Sequence, residues 1–402
     1  MKMIVISKKD ERYWGSCDEI ELAFESVIDK LKKTIKVEHI QYTELNLNEK
    51  IQDIRKLIKQ EYNTIYFLSH NIDFNIFLDK FNSHKEVLNL LIPVYGDMTI
   101  QVNRWLKAHH KLKGWKTKLI VASEASRNQI ANFIQNDEAL NVIKHPLRKE
   151  YFLTKEIDKD TKTLKYLYAG RISLGKNIFA MMDDFIKASK LKNNIELSIY
   201  GRIDSVGYRF HNYTRQELIL EKEFKRILSE SNGVIKYYKH VNSNEMIQVY
   251  RGHDYFVSMS TYQDEDYGLA VAQAIASGCY PIISDWGGYR SFGCAQKVNV
   301  KLMSNFHFIY ERKKLIQYIC NPPEIESEIL HQYSIENFSV SAIANQILEL
   351  LKKKNTIYTG QTEFFFKYRE LYKINSGQPY INIKNSKEVE SLYKRVYHSY
   401  YA

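Results

Sequence analysis

The chain has 402 residues, 44% of them hydrophobic and 26% charged, and a formal net charge of +11. That is more chain than one ordinary core takes up, so two domains of about 150–200 residues are expected. Only 6 prolines and 16 glycines are present, which excludes a flexible or proline-rich tract, and no run nears the ~18 apolar residues of a spanning helix.

Short apolar, β-prone runs at residues 3–6, 37–42, 64–68, 87–94, 118–122 and 141–143 are predicted strands. Between them, apolar residues at helical spacing predict helices over 18–33, 51–59, 74–81, 100–111 and 126–134. In the first helix Ile20, Ala23, Phe24, Val27, Ile28 and Leu31 share a face. Asp18 is placed to cap it, with Glu19 and Glu21 at the positive end of the dipole. Strands alternating with helices predict a doubly wound domain, here residues 1–155.

The charged stretch 148–162 has little to bury and marks a boundary. A second α/β domain, 156–355, then opens on the strand YLYAG. Helices are predicted at 179–190, 216–229 and 243–250, and strands at 195–200, 234–238 and 255–259. A small-residue helix over 269–277, which Gly278 is placed to end, leads to a strand at 280–284. Beyond it come a strand near Val298 and helices near 309–320, 324–332 and 340–352. The tail, 356–402, holds two more candidate helices, 362–373 and 387–400, and is long enough to cross back to the first domain.

Polar residues gather where ligands of open α/β sheets sit, at the carboxyl ends of strands. In AGRISLGKN, directly after a strand, Gly170 permits close approach. Arg171 can make paired bonds to phosphate oxygens and Lys176 adds a compact charge; a solvated loop is the plain alternative. Asp264, Glu265 and Asp266 precede Tyr267, Gly268 and Leu269 at the head of the small-residue helix. A carboxylate there can accept two hydroxyl hydrogen bonds from a sugar, or simply offset the helix dipole. Gly201 and Arg202 close the strand IELSIYG, His240 and Val241 follow another strand, and Gly287-Gly288 forms a turn.

The basic charge suits nucleic acid, an anionic membrane or an anionic small substrate. Dispersed lysines and the lack of a zinc-finger or aromatic RNA-binding motif set nucleic acid aside. Residues 105–116, WLKAHHKLKGWK, suit either peripheral membrane contact or a plain surface helix. His70, His109, His110 and His145 make no metal set by spacing. Cys17, Cys279, Cys294 and Cys320 match no zinc motif or disulfide framework, and no metal is expected. The N-terminal residues read as a strand, not a signal peptide, so a cytoplasmic protein is expected, with peripheral contact to the inner membrane face left open.

The stretch 261–290, TYQDEDYGLAVAQAIASGCYPIISDWGGYR, resembles the signature of retaining glycosyltransferases of the GT-B fold. That family includes sucrose synthases and bacterial lipopolysaccharide and capsule sugar transferases. Its motif has a glutamate in a Glu-x-Phe-Gly context and a second one opening Glu-Ala-x-Ala-x-Gly. The matching positions here are Glu265, Tyr267 and Gly268, then Gln273, Ala274, Ala276 and Gly278, with glutamine in place of the second glutamate. The element Gly170-Arg171 with Lys176 is similar to the one that opens the family's second domain. The likeness covers residues 166–290 well and the first domain in outline.

The resemblance implies an α/β GT-B fold, two doubly wound Rossmann-like domains facing a central cleft, the first for acceptor and the second for donor. It implies that Arg171 and Lys176 bind the donor diphosphate and that Glu265 grips the donor sugar. Gly201, Arg202, His240 and Val241 would lie at the nucleotide, and Gln273 at the ribose. Gly287 and Gly288 would let the backbone approach the donor. In the first domain Asp97 would orient the acceptor, next to Tyr95 where the family often has histidine. Trp14-Gly15-Ser16 stands in place of a Gly-Gly loop, Ser123-Glu124 matches a Ser-Glu, and 144–147 replaces a Pro-Asn-Gly.

The implied activity is a retaining, metal-independent transfer from a nucleotide-diphosphate sugar to a hydroxyl of a saccharide, lipid-linked glycan or glycoprotein. The nucleotide sugar is a substrate and no cofactor is implied. The alternative is a catalytically lapsed GT-B protein acting as a binding or partner subunit, which Gln273, Tyr95 and Ser16 favour. An epimerase would want an acid/base pair at the sugar. A nicotinamide enzyme would want Gly-x-Gly-x-x-Gly after the first strand, and residues 1–15 have none.

Overall fold

The computed structural model describes residues 1–9, 15–68, 74–96, 102–152, 163–203, 213–263, 265–303, 308–324, 327–361, 363 and 387–402. They fall into two units, Met1–Arg148 with Asn337–Ile374 and Ser386–Ser399, and Lys149–Glu336 with Tyr400–Ala402.

The first unit is built on a parallel sheet of β1 (Lys2–Lys8), β2 (Lys36–Tyr42), β3 (Thr64–Phe67), β4 (Asn89–Pro93), β5 (Lys116–Val121) and β6 (Leu140–Val142). Its order is β2-β1-β3-β4-β5-β6. Met3 pairs with Val37 on one side and with Thr64 on the other. Met3 to Ile6 are buried without alternation, as a parallel strand covered on both faces must be. The covering helices are α1 (Gly15–Lys32), α2 (Leu47–Lys59), α3 (Phe74–Lys80), α4 (Val102–Leu112) and α5 (Glu124–Ile134).

Helix α1 begins at Gly15, so Asp18 lies inside its first turn and is not its cap. Buried Glu19, the next residue of the helix, accepts from Arg148 Nε at 3.0 Å. Ser123 caps α5, its Oγ accepting from the Ser126 N–H at 3.2 Å. The helix Val340–Lys352 packs on α1. Lys118 on β5, itself buried, donates to the carbonyls of Leu350 and Lys353, each at 2.7 Å. A cation there suits the negative end of that helix.

The second unit has β7 (Leu164–Ala169), β8 (Ile195–Tyr200), β9 (Ile235–Tyr238), β10 (Tyr255–Ser258), β11 (Tyr280–Ser284) and β12 (Gln296–Val298), all parallel. The order β12-β11-β10-β7-β8-β9 reverses between β7 and β10. In doubly wound sheets ligands bind at that switch point, beyond the carboxyl ends of the strands. Helices α6 (Ile178–Ser189), α7 (Tyr213–Glu230), α8 (Ser243–Arg251) and α9 (Leu269–Ala276) connect the strands. Asn242 and Glu245 form a full capping box on α8. Just past α9, Gly278 takes φ +82°, the left-handed conformation that stops a helix.

One predicted helix is corrected. Residues 309–320 do not form a single helix: β13 (Val300–Leu302) pairs antiparallel with β14 (Phe308–Tyr310), and α10 (Arg312–Cys320) starts afterwards. Alternating burial decides it. Phe308 turns in against Trp286 at 4.3 Å between ring centroids, and the Tyr310 hydroxyl donates to fully buried Asp184 at 2.7 Å. The chain continues through α11 (Ser327–Phe338), α12 (Val340–Lys352) and α13 (Lys387–Tyr401). The candidate helix at 362–373 lies, apart from residue 363, outside the described residues.

Candidate functional site

The switch point is assembled by glycines and side-chain ties. After β7, the Gly170 N–H donates to the Tyr200 carbonyl at 3.0 Å, and the Ile172 N–H to that of Arg202 at 2.8 Å. A Cβ on Gly201 would stand 1.9 Å from the Gly170 carbonyl oxygen, so the ends of β7 and β8 can meet only with glycine there. The chain then passes through a tight turn, Leu174–Lys176, into α6. Asn177 Nδ2 donates to the Met259 carbonyl at 2.8 Å and to Thr261 Oγ1 at 2.9 Å. The Thr261 N–H answers with a bond to the Gly175 carbonyl at 3.0 Å. The loop after β7 is thereby laced to the loop after β10.

This lacing places Lys176 and Glu265 in an ion pair whose side chains are 14% and 9% exposed. Arg171 joins them through an aromatic ring. Its guanidinium carbon lies 5.0 Å from the centroid of Tyr262, and Lys176 Nζ lies 5.5 Å from the same centroid. The Glu265 N–H donates to the Tyr262 carbonyl at 3.1 Å, and its own carbonyl accepts from the Gly288 N–H at 2.7 Å. The Gly287-Gly288 turn is buried against this loop. A Cβ would meet the Glu265 carbonyl oxygen at 2.6 Å from position 287 and the Tyr267 nitrogen at 2.3 Å from position 288. These two glycines thus make room for the Glu265 loop. Gly268, at φ +99°, starts α9 with Tyr289 where a Cβ would sit, and Leu269 is the first helical residue. Tyr267 is buried and packs on Phe292; burial pushes its phenol well above the usual range.

Gln273 faces two tyrosines. Its Nε2 donates to the Tyr151 hydroxyl at 3.0 Å, and its Oε1 accepts from the Tyr250 hydroxyl at 3.2 Å. Tyr151, Tyr250 and Tyr262 were not among the sequence-derived candidates. Tyr262 lies inside the motif itself, whereas Tyr151 and Tyr250 come from distant segments with no local signal.

A cavity of about 450 Å³ opens at the carboxyl ends of β8 and β9. It brings Gly201, Arg202 and His240 together and adds Ile203, Glu221, Tyr237 and Lys239; Val241 does not line it. The Tyr237 hydroxyl donates to the Gly201 carbonyl at 3.0 Å, which fixes one wall.

In the first unit the Tyr95 hydroxyl donates to the Leu68 carbonyl at 3.0 Å, and its ring stacks on His145 at 5.5 Å. Burial lowers the His145 pKa to about 4. Asp97, Trp14, His70 and Asp264 lie outside the described residues. Within 105–116, Trp105 and Trp115 are 8% and 2% exposed, so both indoles pack in the core of the first unit. His109 is buried on the same helix against the Tyr358 hydroxyl at 2.5 Å. Among the described residues no group of three or more His, Cys, Asp or Glu could hold a metal ion, and no helix is long and apolar enough to cross a membrane.

Residues 150–299 match the family described as glycosyl transferases group 1. That segment contains Arg171, Lys176, Tyr262, Glu265, Gln273 and the cavity. No curated protein sequence matches the chain. Among solved structures, HepE of Anabaena in complex with UDP and glucose is similar at 13% identity and a TM-score of 0.61, over 87% of this chain and 99% of that one. A glycosyltransferase from Rickettsia africae is similar at 16% identity and a TM-score of 0.59, over 88% and 100%. The lipopolysaccharide outer core galactosyltransferase WaaB, in its apo form, is similar at 12% identity and a TM-score of 0.60, over 87% and 99%. The chain has the α/β GT-B fold with two Rossmann-like units, and its 150–299 segment is similar to the glycosyl transferases group 1 family.

Proposed function

We propose that this chain is a retaining glycosyltransferase that moves a sugar from a nucleotide-diphosphate sugar to an acceptor hydroxyl. The observation that carries the reading is the meeting of Arg171, Lys176 and Glu265 at the switch point, inside the family-matched segment. Departure of a nucleoside diphosphate leaves negative charge on phosphate oxygens. Two cations held near one another and largely out of water stabilise that charge far better than solvated ones would. On this reading they take the part a metal would play. The Glu265 carboxylate accepts hydrogen bonds from donor-sugar hydroxyls. The cavity lined by Arg202, Lys239 and His240 takes the nucleotide end of the donor. The departing phosphate accepts the proton of the incoming hydroxyl, so no separate strong base is required.

HepE is described with UDP and glucose, which makes UDP sugars the first donors to test. The acceptor belongs to the class of saccharides, lipid-linked glycans or glycoproteins, and the first unit is proposed to bind it. The test is to incubate the protein with UDP-, GDP- and ADP-sugars and candidate acceptors without added metal. Nucleotide release is then followed and the anomeric configuration of the product read by NMR. Product with the donor's configuration supports the proposal; an inverted product overturns the retaining assignment.

A second reading has its own observation. The carboxamide of Gln273 is engaged by Tyr151 and Tyr250, which favours a lapsed GT-B protein that binds nucleotide without turning it over. Tight nucleotide binding with no transfer and no hydrolysis of any nucleotide sugar would select it.

A further inference from the structure

We propose that Tyr262 is a positioning residue that holds Arg171 and Lys176 at the separation a diphosphate needs. The inference rests on the preceding reading, in which those two cations receive the donor diphosphate. Arg171 and Lys176 have long, flexible side chains of like charge. Brought to one place they repel each other, and a shared partner of fixed position offsets that repulsion. The Tyr262 ring supplies that partner, because the face of an aromatic ring carries negative potential and attracts cations. Both cations lie within reach of it, at 5.0 and 5.5 Å from the centroid.

The backbone that carries the ring is tied at both ends of its residue. Its residue's N–H donates to Ser260 Oγ at 3.2 Å, and its carbonyl accepts from Trp286 Nε1 at 2.7 Å. Gly175, between the two cations in sequence, fits against the ring so closely that a Cβ there would lie 2.8 Å from Tyr262 Cδ2. The loop that carries the cations is thus folded around the ring. Glu265 pairs with Lys176, and the ring is the group that both cations are seen to share. The contribution of Tyr262 is its ring face; the hydroxyl is not required.

The test compares full-length wild type, Tyr262→Phe and Tyr262→Leu by titration with UDP, GDP and ADP and, by ligand-observed NMR, with uridine, guanosine and adenosine. A further variant with a tetrafluorinated phenylalanine at 262 keeps the ring's shape and removes its negative face. Tyr262→Phe should bind the preferred diphosphate within about twofold of wild type. Tyr262→Leu and the fluorinated variant should bind it about tenfold more weakly, with nucleoside binding unchanged. Equal losses for nucleoside and diphosphate, or a fluorinated variant that binds as wild type, overturn the proposal. If wild type itself binds no nucleoside diphosphate, the donor reading fails first and the role of Tyr262 falls with it.

Discussion

Gln273 donates to the Tyr151 hydroxyl at 3.0 Å, and the Tyr250 hydroxyl closes the arrangement on its carbonyl oxygen. A carboxylate at this position could accept from both phenols but donate to neither. It would also place a charge at a residue only 8% exposed. Gln273→Glu is therefore predicted to lower the melting temperature without tightening nucleotide binding. Gln273→Leu removes both bonds and should cost about 1–3 kcal/mol in chemical unfolding. Tighter nucleotide binding by Gln273→Glu would show that the carboxamide is turned toward the donor instead.

Gly201→Ala tests the meeting of β7 and β8. Its Cβ would lie 1.9 Å from the Gly170 carbonyl oxygen, and backbone has nowhere to go. The strand ends must part, which should cost about 1–3 kcal/mol and move Arg202 away from the cavity. Unfolding and nucleotide titration should both register the change. A variant as stable as wild type would mean that the two strand ends do not approach as closely as described.

Much of the fold was legible because parallel sheets write themselves as apolar runs. The run at 280–284 is β11, and 269–277 is α9 with one further residue. Arg171, Lys176 and Glu265 stood out because their loops resemble the motifs of retaining GT-B glycosyltransferases; taken alone they also fit a solvated loop or a charged helix start. What could not be read was what packs on what. Ile309 and Tyr310 looked helical, but Phe308–Tyr310 alternates, with Phe308 against Trp286 and Tyr310 on Asp184. Trp105 and Trp115 looked amphipathic beside lysines, yet both indoles are buried in the core. Tyr151, 122 positions from Gln273, carried no local sign of that contact.

Stability should fall in mild acid. Burial holds both His145 and His109 at about 4, against an ordinary 6.5. Below pH 6.5 the unfolded chain binds protons that the folded chain refuses until about pH 4. Stability is thus complete above that window and is lost as pH falls through it. Each histidine can contribute up to about 3 kcal/mol of this loss. Urea unfolding at intervals from pH 7.5 to 4.5 checks it, and His145→Asn should flatten the dependence. An unchanged slope in that variant would remove His145 from the account.

The Lys176–Glu265 pair should couple stability to function. Lys176→Met or Glu265→Leu alone leaves the other charge without its partner in a mostly buried place and should cost about 1–3 kcal/mol. The double variant should regain most of that stability and still lack donor binding. Thermal unfolding and nucleotide titration of all three variants separate the two effects. A double variant that binds donor as wild type would show that the pair is purely structural.

The most direct measurement is a calorimetric titration of UDP, GDP, ADP and their sugar conjugates into the wild-type protein and into the Arg171→Ala, Lys176→Ala double variant, without added metal. The account predicts that one nucleotide diphosphate and its sugar bind the wild type, and that the double variant binds them at least about 100-fold more weakly. A folded wild type that binds none of them, or a double variant that binds them equally well, would contradict it.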